Sequence, residues 1–161
     1  MSYSDFFLKC IQVLLSLEGG YSNKKPDAGG ETNFGLSKRQ YPDINMKTLT
    51  RDRAIEIYYS DYWIPMNIER LMDDELVLLL FCFGVNAGIR TAIRVLQKLI
   101  GVDEDGFIGS ETARAIKEFN GNITEDFTKR QKLFYITLVQ KKPKEAINLP
   151  GWLNRVKNSH F

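Results

Sequence analysis

The sequence predicts a mainly α fold. Three observations carry this: apolar residues recur at spacings of three and four, capping residues stand where those patterns begin, and Gly, Asn or Pro stand where they end. Phe6, Phe7, Cys10, Val13, Leu14 and Leu17 set a helix over about residues 4–18, and Gly19-Gly20 stops it. Residues 21–43 hold Gly29, Gly30 and Gly35, Pro26 and Pro42, and many short polar side chains, so they read as loop with a short hairpin near the Gly-Gly pair. Thr50 can cap a helix to about Tyr62 with Ile55, Tyr58, Tyr59 and Tyr62 on one face, ended by Trp63-Ile64-Pro65. Asp73 or Asp74 starts the next helix, and Leu76 to Val85 is apolar nearly all round, as in a central buried helix. Asn86-Ala87-Gly88 closes it. Thr91 to Ile100 forms a further helix with Ile93, Leu96 and Ile100 inward and Gly101 past its end. Ser110 caps a short helix holding Ala113, Ile116 and Phe119, and Thr124 caps a longer one that stops before Pro143. The last helix carries Trp152 and Val156. The pattern contains no clear repeat, low-complexity tract or linker.

A chain of 161 residues with 43% hydrophobic and 26% charged residues is expected to form one compact domain with a sufficient core, or one with a small second lobe. No apolar run reaches the length of a membrane helix, and stable membrane insertion is not expected. Ile11 to Leu17 is too short, and too broken by Gln12 and Ser16, for a signal peptide, and Asp5 stands where a basic segment belongs. The chain is therefore expected to be made in the cytoplasm and to reach any outside target by a route not written in it. From Gly121 to Phe161 eight Lys and Arg face three Asp and Glu, a net of +5 within a chain of +2, which leaves −3 for the first 120 residues. That basic end reads either as a solvated face or as a surface for an anionic polymer. Basic runs with interleaved aromatics are missing, so nucleic acid is not the expected partner.

Cys10 and Cys82 lie inside apolar helical patterns and read as buried free thiols. The one histidine, His160, adjoins the C-terminus, which removes most Ser-His-Asp, Cys-His and His-ligand zinc schemes. Acid–base chemistry in this chain is expected to rest on carboxylates. Glu18, four residues after Leu14, shares the apolar stripe of its helix at the negative end of the helix dipole. Desolvation and dipole both raise a carboxyl pKa, as a general acid near neutral pH requires. The competing reading is a surface Glu in a last turn. Eight residues separate Glu18 from Asp27 and four separate Asp27 from Thr32, so the loop can fold a second carboxylate over the first. Glycosidic cleavage uses such a pair. Asp27 also reads as a turn residue after Pro26, and Thr32 and Asn33 as water or sugar ligands or as plain loop residues. Tyr21, Tyr62 and Trp63 suit either stacking on sugar rings or packing, and Asn86 either a cleft or a helix cap. Asp103-Glu104-Asp105-Gly106 has too few ligands for a calcium loop and reads as a turn before a helix.

Several motifs in order carry a resemblance. Glu18-Gly-Gly-Tyr21 and Asp27-x-Gly-Gly-x-Thr-Asn-Phe-Gly35 come first, then the Tyr58–Trp63 segment and Val85-Asn86-Ala87-Gly88. Leu96-Gln97, Gly101-Val-Asp-x-Asp-Gly-x-Ile-Gly109 with Thr112, and Gly151-Trp-Leu-Asn-Arg155 follow. Together they resemble the N-acetylmuramidases of glycoside hydrolase family 108, the "secretion activator" group, with its C-terminal peptidoglycan-binding region. The resemblance implies a lysozyme-like, mainly α fold, with a catalytic region over residues 1–89 and a helical peptidoglycan-binding region over 90–161 packed on it. It implies a monomer that cleaves peptidoglycan glycan strands with Glu18 as catalytic acid and Asp27 and Thr32 beside it. Tyr21, Asn33, Tyr62, Trp63 and Asn86 are the expected substrate contacts. No metal or organic cofactor is implied. Passage to the wall is expected to depend on a holin or another export route. A lytic transglycosylase and a non-catalytic wall-binding or secretion-accessory protein are the alternatives. The layout is similar to phage lysozymes too, with the Thr one residue closer. Cys82 stands where many relatives are expected to carry an Asp.

Overall fold

The computed structural model describes residues 3–23 and 30–161. As expected, the fold is mainly α with one short hairpin after the first helix. The chain divides into two compact units, Met1–Asp61 and Tyr62–Phe161.

In the first unit, helix α1 spans Asp5–Leu17, with Ser4 as its N-cap accepting the Phe7 amide at 3.1 Å. Phe7, Cys10, Ile11 and Leu14 form its buried face. Strands β1 (Thr32–Asn33) and β2 (Leu36–Ser37) pair antiparallel, with Thr32 opposite Ser37 and Asn33 opposite Leu36. Helix α2 spans Arg51–Tyr58, capped as expected by Thr50, whose hydroxyl accepts the Arg53 amide at 3.2 Å. The rings of Tyr3, Phe7 and Tyr59 pack tilted or edge-on at 4.8–5.3 Å and join α1 to the residues after α2.

The α2 pattern does not continue to Tyr62 as an α-helix. Residues Tyr59–Trp63 widen into a π-helical turn, followed by a short helix α3, Ile64–Met66, with Pro65 in its first turn. Proline lacks an amide hydrogen and its ring crowds the preceding turn, so a widened turn accommodates it and the helix resumes.

In the second unit, helix α4 (Asp74–Ala87) is the central buried helix expected, with Leu76 through Gly84 all buried. Asp73 caps it, accepting the Leu76 amide at 2.8 Å, and Gly88 at φ +96° ends it. Helix α5 follows (Ile89–Ile100), then α6 (Ser110–Glu118), α7 (Ile123–Lys141) and α8 (Leu149–Asn158). Two expected caps move by one or two residues. Gly109 precedes α6, and Asn122 rather than Thr124 caps α7, its side-chain oxygen accepting the Glu125 amide at 3.1 Å. Both Asn and Thr can cap; starting at Asn122 brings Ile123 into register with the buried Phe127, Gln131 and Tyr135. Helix α4 packs on α5 and α7, and α7 on α8. These contacts all lie within the second unit. Phe83 meets Phe127, Phe134 and Tyr135 edge-on, and Tyr135 stacks on Trp152 at 4.9 Å. Cys10 and Cys82 are both buried.

Gln131 is 2% exposed and its amide nitrogen has no hydrogen-bond partner. A buried donor left unpaired costs about 1–3 kcal/mol. Gln131→Met, of similar shape, is therefore expected to stabilise the chain by about 1 kcal/mol in urea unfolding; a loss of stability would show that the amide has a partner in solution.

Candidate active site

Two glycines end α1, because glycine in a helix interior is unfavourable. The last helical residue is Leu17, and Glu18 turns into extended backbone at ψ 143°. The helical spacing from Leu14 therefore does not set the direction of its side chain. The hairpin sets it. Tyr21 and Ser22 run back along the sheet: Ser22 and Thr32 exchange both backbone hydrogen bonds at 2.8 Å. Residues 33 and 36 are joined by a two-residue turn in which Phe34 (φ 51°) and Gly35 (φ 82°) both have left-handed backbone. This is the type I′ geometry that matches strand twist.

Gly35 is the contact that builds the site. A Cβ placed on it would lie 2.5 Å from both Cδ and Oε2 of Glu18. The turn backbone thus lies directly on the Glu18 carboxyl, and a Cβ at position 35 would push that carboxyl aside. Glu18 itself is half-buried, so one side of the carboxyl is seated against the turn while the residue keeps a path to solvent.

Phe34 is the unusual member of the turn. A residue with a side chain pays about 1–2 kcal/mol for left-handed backbone. The fully buried Tyr58 of α2 holds the turn in place, its hydroxyl donating to the Phe34 carbonyl at 2.8 Å. Tyr58→Phe is expected to cost about 1 kcal/mol, a Tm drop of about 3 °C, by leaving that carbonyl unpaired. A thermal melt measures it; an unchanged Tm would mean that the bond carries no net stability.

The other expected site residues divide. Thr32 is half-buried on β1, adjoining the segment that leaves Glu18. Asn33 points to the opposite face, as strand alternation requires. It is 7% exposed, and its amide donates to the Met46 carbonyl at 2.8 Å, so it ties the hairpin to the following loop. Tyr21 is exposed; its hydroxyl donates to Glu31 Oε1 at 3.0 Å. Partial desolvation, then that carboxylate, raises the phenol pKa. Asp27 lies outside the described residues.

In the second unit, Tyr62 and Trp63 are 7% and 2% exposed. The Trp63 indole donates to Glu69 at 2.9 Å and its ring meets Phe81 edge-on at 5.1 Å. Both rings are nearly buried in this structure, within the π-helical turn. Asn86 is half-buried and donates to the Tyr135 hydroxyl, linking α4 to α7. Burial raises the Tyr135 pKa, opposed by that bond and by Arg155.

The Asp103–Gly109 motif lies largely at the surface and is held by the buried Gln97. The amide nitrogen of Gln97 donates to Asp105 at 2.7 Å, to the Phe107 carbonyl at 3.0 Å and to Thr112 at 3.3 Å, while its oxygen accepts the Gly106 amide at 2.8 Å. The Gln97 bond, then the Phe107 amide, hold Asp105 below the usual carboxylate range. These polar groups shape the turn that was expected.

Sequence reasoning left three residues without their roles: Gly35 against Glu18, Tyr58 beneath the turn, and Glu31 beside Tyr21. Gly35 and Tyr58 stand within quoted motifs, but nothing local announces their partners. A groove of about 750 Å³ in the first unit is lined by Tyr3, Tyr41, Asp52, Glu56 and Asp61 among others, and includes none of the expected site residues.

Comparison with known proteins agrees with the motifs. Residues 11–88 match the family described as Glycosyl hydrolase 108, and residues 91–157 match the one described as Predicted Peptidoglycan domain. No curated protein matches. Among solved structures, that of Brucella abortus SagA is similar at a TM-score of 0.79 and 25% identity, covering 95% of this chain and 90% of that one.

Proposed function

Residues 11–88 of this chain belong to the glycosyl hydrolase 108 family and residues 91–157 to the predicted peptidoglycan domain family, and on that premise we propose that it is an N-acetylmuramidase. The chain is a peptidoglycan-related glycosyl hydrolase. The proposal adds the bond and the residues. Glu18 protonates the bridging oxygen between N-acetylmuramic acid and N-acetylglucosamine as the bond to the muramic anomeric carbon breaks. Asp27, assisted by Thr32, positions water or stabilises the positive charge that develops at that carbon. The protein acts as a monomer on glycan strands and reaches the wall through a holin or another export route. No helix among the described residues is long and apolar enough to cross a membrane.

The observation that supports this reading most is the Glu18 carboxyl seated on the Gly35 backbone. A carboxyl held against a fixed backbone is placed before substrate arrives, and positioning is a large part of such catalysis.

Mass spectrometry after digestion of defined peptidoglycan tests the reaction. Products ending in reducing N-acetylmuramic acid are expected. Anhydro-muropeptides would replace hydrolysis by transglycosylation, in which the muramic hydroxyl displaces water. Reducing N-acetylglucosamine would move the cleaved bond. Binding with no new ends would leave a wall-binding protein. Asp27→Ala with full turnover would remove Asp27 from the mechanism.

A further inference from the structure

The basic C-terminal part of the chain has a defined location. Along α7, Arg130, Leu133, Phe134, Leu138 and Lys141 recur at the three- and four-residue spacing of one helical face. This face is separate from the buried stripe of Ile123, Phe127, Gln131 and Tyr135. With Val95 and Lys98 of α5 it forms a groove of about 250 Å³. Leu133 is 52% exposed there, so the apolar floor is open to solvent. The groove walls hold three cations, Lys98, Arg130 and Lys141, and no carboxylate. The acidic residues at the start of α7, Glu125 and Asp126, are both paired with Lys129.

Lys98 and Lys141 stand in the last turns of their helices, where a cation is favoured by the helix dipole alone. Arg130 stands in mid-helix, where that reason does not apply. Arg130 and Lys141 lie eleven residues apart on one face, about 16 Å along the axis. The occupant this geometry fits is elongated, partly aliphatic and carries more than one anionic group.

We propose that the α5–α7 groove binds the stem peptide of peptidoglycan. An extended chain of four or five residues spans roughly 14–18 Å, and the carboxylates on its second residue and at its C-terminus lie closer together than that, within reach of the long flexible side chains of Arg130 and Lys141. The stem carries alanine methyl groups and aliphatic stems for the floor, a free carboxylate on its glutamate, and another at its C-terminus. It is net anionic whichever diamino acid it contains. The assignment rests on the reading of peptidoglycan as the target and adds where its peptide part is held: on the second unit, by Arg130 and Lys141 at the two ends and Lys98 across the groove. The hydrolase would then recognise peptide-bearing glycan, with attraction that weakens as salt rises.

The test titrates the full chain with a synthetic stem tetrapeptide, followed by amide resonances of α5 and α7, beside the same peptide with its carboxylates amidated. Binding at the groove is expected, at least tenfold weaker for the amidated peptide. Arg130→Glu/Lys141→Glu, and separately Lys98→Glu, are expected to lower retention on intact sacculi at least tenfold, with unchanged melting temperature. Sacculi stripped of peptides by an amidase should retain the wild type equally poorly. The inference is overturned if the charge-reversed chains bind intact sacculi like the wild type, if stripped sacculi retain the chain as well as intact ones, or if an acidic amphipathic helix shifts the groove resonances while the stem peptide does not. Release of reducing ends by the wild type is measured in parallel. A chain that binds the peptide and releases none loses the muramidase reading and keeps this site.

Discussion

Glu18→Gln is expected to lower reducing-end release from purified peptidoglycan by about 10²–10⁴-fold, the range over which a general acid contributes. Glutamine keeps the length and planar end of the side chain, so it can still lie against Gly35. It carries no proton to deliver to a leaving oxygen. The substitution thus separates chemistry from architecture: turnover falls while the melting temperature and retention on sacculi stay close to wild type. Equal cleavage by the two proteins would remove Glu18 from the acid role. A large fall in stability would instead make the residue a structural one.

Gly35→Ala is expected to have the second largest effect, and by a different route. The added Cβ meets Glu18 Cδ and Oε2 at 2.5 Å, far inside contact distance. The atoms it meets are the far end of a flexible side chain, so the carboxyl moves before the backbone does. Displacement of a reacting group by about 1 Å can cost about 100-fold in rate, and that is the loss expected on peptidoglycan. The left-handed backbone of the position, φ +82°, adds a stability cost of about 1–2 kcal/mol for any residue with a Cβ. A double-mutant cycle distinguishes the two costs. In a Glu18→Gln background, Gly35→Ala should still lower stability but take away little further activity, because the two residues act through one carboxyl. Additive activity losses would show that Gly35 serves the reaction independently of Glu18.

Much of the architecture is legible along the chain. The α1, α4 and α5 patterns, the Thr50 and Asp73 caps and the Gly88 and Gly101 ends follow from three- and four-residue spacing and from local backbone chemistry. Glu18 stands out for the same reason, as a carboxylate where an apolar face runs into two glycines. For Tyr62 and Trp63 the sequence left stacking and packing open, and it did not announce the widened turn that carries them. Asn33 and Thr32 read alike as polar loop residues. Strand pairing separated them, since alternate side chains must face opposite sides.

The sequence by itself determined most of the helices, offered carboxylates as the candidate acid–base groups and, through ordered motifs, pointed to the family. Those are properties of neighbours within a few turns. The tertiary structure alone decided what each polar residue faces: Gly35 lies on the Glu18 carboxyl seventeen residues away, Tyr58 pins the Phe34 carbonyl, Gln97 holds the Asp105 turn, and Arg130 and Lys141 flank one open groove. Periodicity reports which face of an element is apolar. It carries no information about which distant backbone closes over a given side chain, and that closure is what turns a stranded glutamate into a positioned one.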